Sequence, residues 1–248
     1  MKKGIVFFLS FIAFLFCSCT MSISNPEYIE IARGYLIENF GGEYTFVSLK
    51  KTASENEVHV LFKSDKLENR EVNVRVVISD QKIDTYTCHV SSNYPNILFE
   101  KEEADYYKNI FGNYFSDCNI VMNNSERFMD YYSKYWVSDE ISGEWIEHET
   151  DELTFEQYIS ILIYSECKAY ADIIVTEKKN RFLDSEDKLK CSLVDLQNSK
   201  LMLDGNFYIV DTIDDDYESN YNFKADINIT AGNYNGFKYD YKVEKKES

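Results

Sequence analysis

The sequence predicts an α+β protein of two small halves, each built of helices packed on an antiparallel sheet. Three observations carry that reading. A helical-period apolar stretch opens after Asn25-Pro26, stops at Gly41-Gly42, and is followed by three alternating segments joined by short polar links. Residues 137–153 are polar and hold seven acids, a shift of composition that marks a boundary. Beyond it the order repeats: helical periods first, then alternating strands to the end of the chain.

In the first half, Asn25 is a good N-cap and Pro26 suits a first helical position. Ile29, Ala32, Leu36 and Phe40 recur at helical spacing with Tyr28 and Tyr35 beside them, so one face must be buried. Segments 44–50, 58–64 and 71–79 read as strands; in the third, Val72, Val74, Val76 and Ile78 alternate with Asn73, Arg75 and Val77. Links 52–57 and 65–70 are short enough for hairpins, which makes the order antiparallel. Helix followed by meander is loosely similar in shape to the cystatin type of architecture, a likeness of form that carries no function. Residues 85–90 make a fourth strand, broken by 91–95. Residues 100–114 read as a helix with acids in its first turn, 118–122 as a short strand, and 125–136 as a tyrosine-rich helix.

In the second half, Thr154 and Gln157 form a capping box for a helix over 155–167, apolar on most sides and so expected to be buried. Residues 171–176 form a strand. Asp184 or Ser185 caps the next helix, where Leu189, Leu193 and Leu196 keep the period. Asp204-Gly205 reads as a turn into 207–211, and 223–230 and 237–243 as two antiparallel strands around the turn 231–236. The expected organisation is a signal segment 1–18, a tether 19–25, a first domain 26–136, an acidic linker 137–153 and a second domain 154–248.

The N-terminus gives an address. Lys2 and Lys3 precede a twelve-residue apolar run over 5–16, interrupted only by Ser10, in the order of a secretory signal. Leu15-Phe16-Cys17-Ser18-Cys19 ends it and resembles the lipobox of bacterial lipoproteins. That resemblance implies diacylglycerol on the Cys19 thiol, palmitate-type acylation, cleavage before Cys19, and a folded part held outside the cytoplasm at the cell membrane. Two acyl chains hold a protein on a membrane stably where one is marginal. Phe16 and Cys17 depart from the usual Leu and small residue at their places. The rival reading is an uncleaved anchor over 4–23, a stretch long enough to span a bilayer.

The chain carries a formal charge of −17, and loss of residues 1–18 removes two lysines and no acid. Nucleic acid and anionic surfaces are repelled by such a balance, whereas a basic protein or peptide is attracted. Four cysteines lie beyond Cys19: Cys88, Cys118, Cys167 and Cys191. Pairing within each half, Cys88 with Cys118 and Cys167 with Cys191, would stabilise by roughly 3–4 kcal/mol each; four reduced, buried thiols are the alternative.

No cofactor motif is present: GxSxG, HExxH, GxGxxG, a phosphate loop and CxxC are all missing. Asp214, Asp215, Asp216 and Glu218 form the densest acidic loop and are the candidate partner-facing acids. They fail the EF-hand template, because the sixth place is Ser219 and the twelfth Ala225. Glu147-His148-Glu149 offers ligand types whose side chains diverge, and no metal site is assigned. The expected function is a non-enzymatic binding module for a protein or peptide partner, in one form an immunity-type inhibitor of a basic toxin. The alternative is an envelope-polymer hydrolase using paired carboxylates such as Glu147 or Asp216.

Overall fold

The structure, a computed structural model, describes residues 24–54, 56–82, 85–125, 127–138, 145–149, 152–176, 182–213, 216–232 and 236–245. It is α+β, as the sequence predicts, and divides into two compact units, Met1–Ser91 and Ser92–Ser248. Cys19, the signal segment, Asp214 and Asp215 lie outside the described residues. Among the described residues no helix is long and apolar enough to cross a membrane.

In the first unit α1 (Asn25–Phe40) begins with a capping box on Ser24 rather than on Asn25. The reason is spacing. Glu27 stands three residues after Ser24, and its carboxylate accepts from the Ser24 backbone N–H at 2.6 Å and from the Ser24 hydroxyl at 2.8 Å. Tyr28, Ala32, Tyr35 and Leu36 form the buried stripe, and it lies across β1 (Tyr44–Lys51), β2 (Glu57–Ser64) and β3 (Glu71–Lys82). With β4 (Thr85–Ser92) these make an antiparallel meander in chain order. Val58, Val60 and Phe62 of β2 and Val72, Val74, Val76 and Ile78 of β3 are its buried face. Lys66 in the β2–β3 turn donates from Nζ to the Phe40 carbonyl at 2.7 Å, satisfying one of the open carbonyls at the helix end.

The second unit holds α2 (Tyr94–Leu98), α3 (Glu100–Gly112), β5 (Cys118–Met122), a β6–β7 hairpin (Lys134–Ser138, Trp145–Glu149), α4 (Phe155–Tyr164), β8 (Lys168–Thr176), α5 (Phe182–Asn198), β9 (Met202–Val210), β10 (Tyr221–Gly232) and β11 (Gly236–Lys245). Its main sheet runs β11-β10-β9-β8-β5 and is antiparallel except for β8 and β9, which α5 joins as a parallel crossover. One side of the sheet meets the helices. Phe207 sits 5.2 Å from Phe115 and 6.3 Å from Phe223 between ring centroids, and Leu189, Leu193 and Leu196 of α5 are fully buried.

Five sequence expectations are corrected. The domain boundary is at Ser91/Ser92, and 137–153 falls within the second unit, because β5 pairs with β8 across it, Cys118 opposite Val175. Residues 125–136 form no helix: Arg127 and Met129 are buried in an irregular segment that passes into β6. Asp204-Gly205 is no turn but the middle of β9, where Gly205 faces Ala171 so closely that a Cβ would lie 1.8 Å from the Ala171 carbonyl oxygen. α4 ends at Tyr164 and buries only Tyr158 and Leu162, leaving Tyr164 93% exposed. α5 begins at Phe182, which places Asp184 in its first turn and Ser185 beyond the cap position. All four cysteines are free thiols. Cys118 is buried, and that burial pushes its thiol up to about 12.

Candidate functional site

A buried polar cluster sets the site's frame. Glu103 on α3, with no exposed side-chain surface, accepts from both ends of the Arg127 guanidinium, Nη1 to Oε1 at 3.0 Å and Nη2 to Oε2 at 2.7 Å. Oε2 also accepts from the Asn124 amide at 2.9 Å and the Tyr158 hydroxyl at 2.5 Å. Burial, and next the Glu103 charge, push the Tyr158 phenol well above its ordinary value, so it stays a donor. Arg127 Nε donates to Asn96 Oδ1 at 2.9 Å, and the Asn96 amide returns a bond to the Arg127 carbonyl. The cluster thereby holds Arg127 and Asn124 in place, and with Asn124 the segment 123–125. From there Asn124 Oδ1 accepts from the Tyr170 backbone N–H at 2.9 Å, and the Asn123 N–H donates to the Tyr170 carbonyl at 2.6 Å. The segment extends the β5 edge along the start of β8.

The strand alternation then decides what faces the side of the sheet away from the helices. Register sets Asp172 of β8 beside Asn206 of β9 and that beside Asp226 of β10; one step along, Tyr170, Asp204 and Asn228 form the next row. At one end the same face is closed by an apolar group, Ile174, Tyr208 and Val210 covered by Val121, Ile213, Tyr217 and Tyr221. At the other end it stays open as a cleft of about 660 Å³ lined by Asn123, Ser125, Tyr170, Asp172, Asp204, Asn206 and Glu218, with Ala171 and Gly205 in its floor.

Asp172 is the anchor of this cleft. It is 4% exposed, its Oδ1 accepts from the Asn206 amide at 2.8 Å and its Oδ2 from the Tyr217 hydroxyl at 3.1 Å. Burial, and then the charge of Asp172, raise the Tyr217 phenol and push Tyr208 up to about 12. The bond from Tyr217 ties residues 216–218 to the sheet, and Glu218 joins the cleft lining. Asp204 stands at the open side with its side chain 39% exposed, 3.6 Å from Lys168 Nζ, which also donates to Asn228 Oδ1 at 3.2 Å. Tyr170 is 44% exposed beside them.

Of the acids singled out in the sequence, Glu218 lines the cleft. Asp216 instead accepts from the Asn220 amide at 3.0 Å and holds the turn together. Glu147 lies in β7. Asp172, Asp204, Tyr170 and Asn206 were not singled out. The available signal was polar residues at alternate places, 170/172 and 204/206, in strands otherwise apolar. Among the described residues no group of three or more His, Cys, Asp or Glu side chains is placed to hold a metal ion.

No protein-family model matches the chain, and no curated protein matches it. Among solved structures the chain is similar to a DUF5037 family protein from Ruminococcus gnavus ATCC 29149, with 10% identity and a TM-score of 0.36, over 90% of this chain and 93% of that one.

Proposed function

We propose that this chain is a lipid-anchored protein of the outer face of the cell membrane whose folded part binds a basic protein or peptide without catalysing a reaction. The observation that carries the reading is the cleft, whose lining joins half-buried Asp204, exposed Glu218 and buried Asp172 with amide, hydroxyl and phenol groups. Such a lining offers acceptors and negative charge to a cation and repels a polyanion. The strongly negative overall charge acts in the same direction by steering a basic partner toward the chain. Asp172, with both oxygens held by donors, suits the fixed floor of a binding site better than the mobile proton of a hydrolase. The Ser18-Cys19 signal supports the anchor.

Two measurements test the proposal. Labelled palmitate should enter the wild-type chain and not a Cys19→Ser variant; equal labelling would remove the anchor. The intact chain in detergent micelles, immobilised and exposed to exported proteins, should hold a basic protein at low salt and release it at high salt, because screening shortens the reach of charge. Retention of acidic proteins only, or shortening of envelope polymers by the chain, would overturn the binding role.

A further inference from the structure

We infer that the cleft receives an arginine side chain of the partner; this rests on the binding role proposed above and names the group recognised. Three features of the open end bear on the chemistry. First, its acceptors differ in availability: the Asp172 carboxylate is buried and fully engaged, whereas Asp204 is 39% exposed and Glu218 is exposed. A cation entering the cleft therefore finds the carboxylates of Asp204 and Glu218 accessible and that of Asp172 buried in the lining. Second, an aromatic ring stands at the same place, with Tyr170 44% exposed although its strand neighbours Ala169 and Ala171 are buried. A ring beside carboxylates suits a delocalised cation, which lays its face on the ring and turns its edge to the oxygens.

Third, one of the two accessible acids is already paired with the protein's own ammonium group. Lys168 Nζ lies between Asp204 Oδ2 at 3.6 Å and Asn228 Oδ1 at 3.2 Å. An entering ammonium would compete with Lys168 for Asp204. A guanidinium presents five donors in a planar fork and a flat face, which suits a lining that holds the Asp204 and Glu218 carboxylates and the Tyr170 ring. A volume of about 660 Å³ exceeds what one such side chain fills and lies within the range of ligand pockets, roughly 300–1,000 Å³. The remaining space leaves room for the residues flanking the arginine beside the polar side chains of Asn123, Ser125 and Asn206.

The test uses the intact chain in detergent micelles, titrated calorimetrically with three blocked pentapeptides that carry arginine, lysine or citrulline between glycines. Citrulline keeps the shape of arginine and lacks its charge. The arginine peptide should bind, the lysine peptide several-fold more weakly, and the citrulline peptide not measurably. Asp204→Asn and Glu218→Gln should each weaken the arginine peptide roughly tenfold or more, the scale of one charge-assisted hydrogen bond. Tyr170→Ala should weaken it by less and Tyr170→Phe should leave it unchanged. Glu218 is exposed and the Asp204 side chain is 39% exposed, so melting temperatures within about 2 °C of wild type confirm folding in each variant. Equal affinity for lysine and arginine, or full affinity in both acid variants, would overturn the inference. If a basic protein is still captured in a salt-sensitive way while the arginine peptide fails, the inference falls and the binding role stands; if neither binds, both fall.

Discussion

Replacing Glu103 by Gln should destabilise the second unit more than any other single isosteric change in it. The shape is kept and one acceptor oxygen remains, but the charge that balances Arg127 is gone. Glu103 and Arg127 have 0% and 3% of their side chains exposed, so water cannot substitute. Four hydrogen bonds converge on the carboxylate, two from Arg127 and one each from Asn124 and Tyr158. In the variant at least one of these donors must face an amide N–H₂. Leaving one buried charge unpaired costs about 3–5 kcal/mol, and in a domain of this size each kcal/mol lowers the melting temperature by roughly 2–4 °C. Urea unfolding followed by tyrosine fluorescence, and a melting temperature lower by about 6–20 °C, would report the loss. Removing both charges together, Glu103→Leu with Arg127→Met, should recover much of it, since a buried pair can often be exchanged for apolar groups at little cost. A loss below about 1 kcal/mol, the range of solvent-exposed pairs, or a double variant worse than the single one, would refute the picture of a dry, mutually dependent cluster.

Three other outcomes follow from local geometry. Gly205→Ala should cost about 1–3 kcal/mol or more, because its Cβ would meet the Ala171 carbonyl at 1.8 Å and force β8 from β9; wild-type stability in urea would contradict the close approach. Thr154→Ala should cost about 1 kcal/mol by removing the acceptor for the Gln157 N–H, with Thr154→Ser restoring most of it in the same assay. In the first unit the Glu57 carboxyl is held below its ordinary 4.5, chiefly by the hydrogen bond from Arg75 and next by His59. A depressed folded value means stability present above pH 4.5 and lost as pH falls through the folded value. Arg75 is 40% exposed, so the effect should stay under about 1 kcal/mol. Glu57→Gln should flatten that acid limb in pH-dependent unfolding.

How much of this could be read from the sequence depended on how local the cause was. The first unit was legible because α1 and the meander are built from neighbours in the chain: alternation in 71–79 and short polar links fix register and direction without help from afar. Even there the cap moved from Asn25 to Ser24, since the deciding partner was Glu27. In the second unit the helices over 100–112 and 182–198 were visible from period and composition. The sheet was not, because β5 finds β8 some fifty residues later and α5 returns the chain parallel to β8. Asp204-Gly205 looked like a turn because its composition suits one; the structure uses the missing Cβ for strand contact instead. The cleft was illegible for the same reason, its lining drawn from 123–125, 170–172, 204–206 and 218. Only Glu218 stood in a cluster conspicuous enough to be noticed.

The central question is whether the cleft is where a basic partner is held. The deciding measurement compares capture of exported basic protein at low salt by the intact wild-type chain and by the Asp204→Asn, Glu218→Gln double variant. The account predicts retention by the wild type and loss by the variant, with both chains melting at the same temperature. Equal retention by both would place the binding surface elsewhere and contradict it.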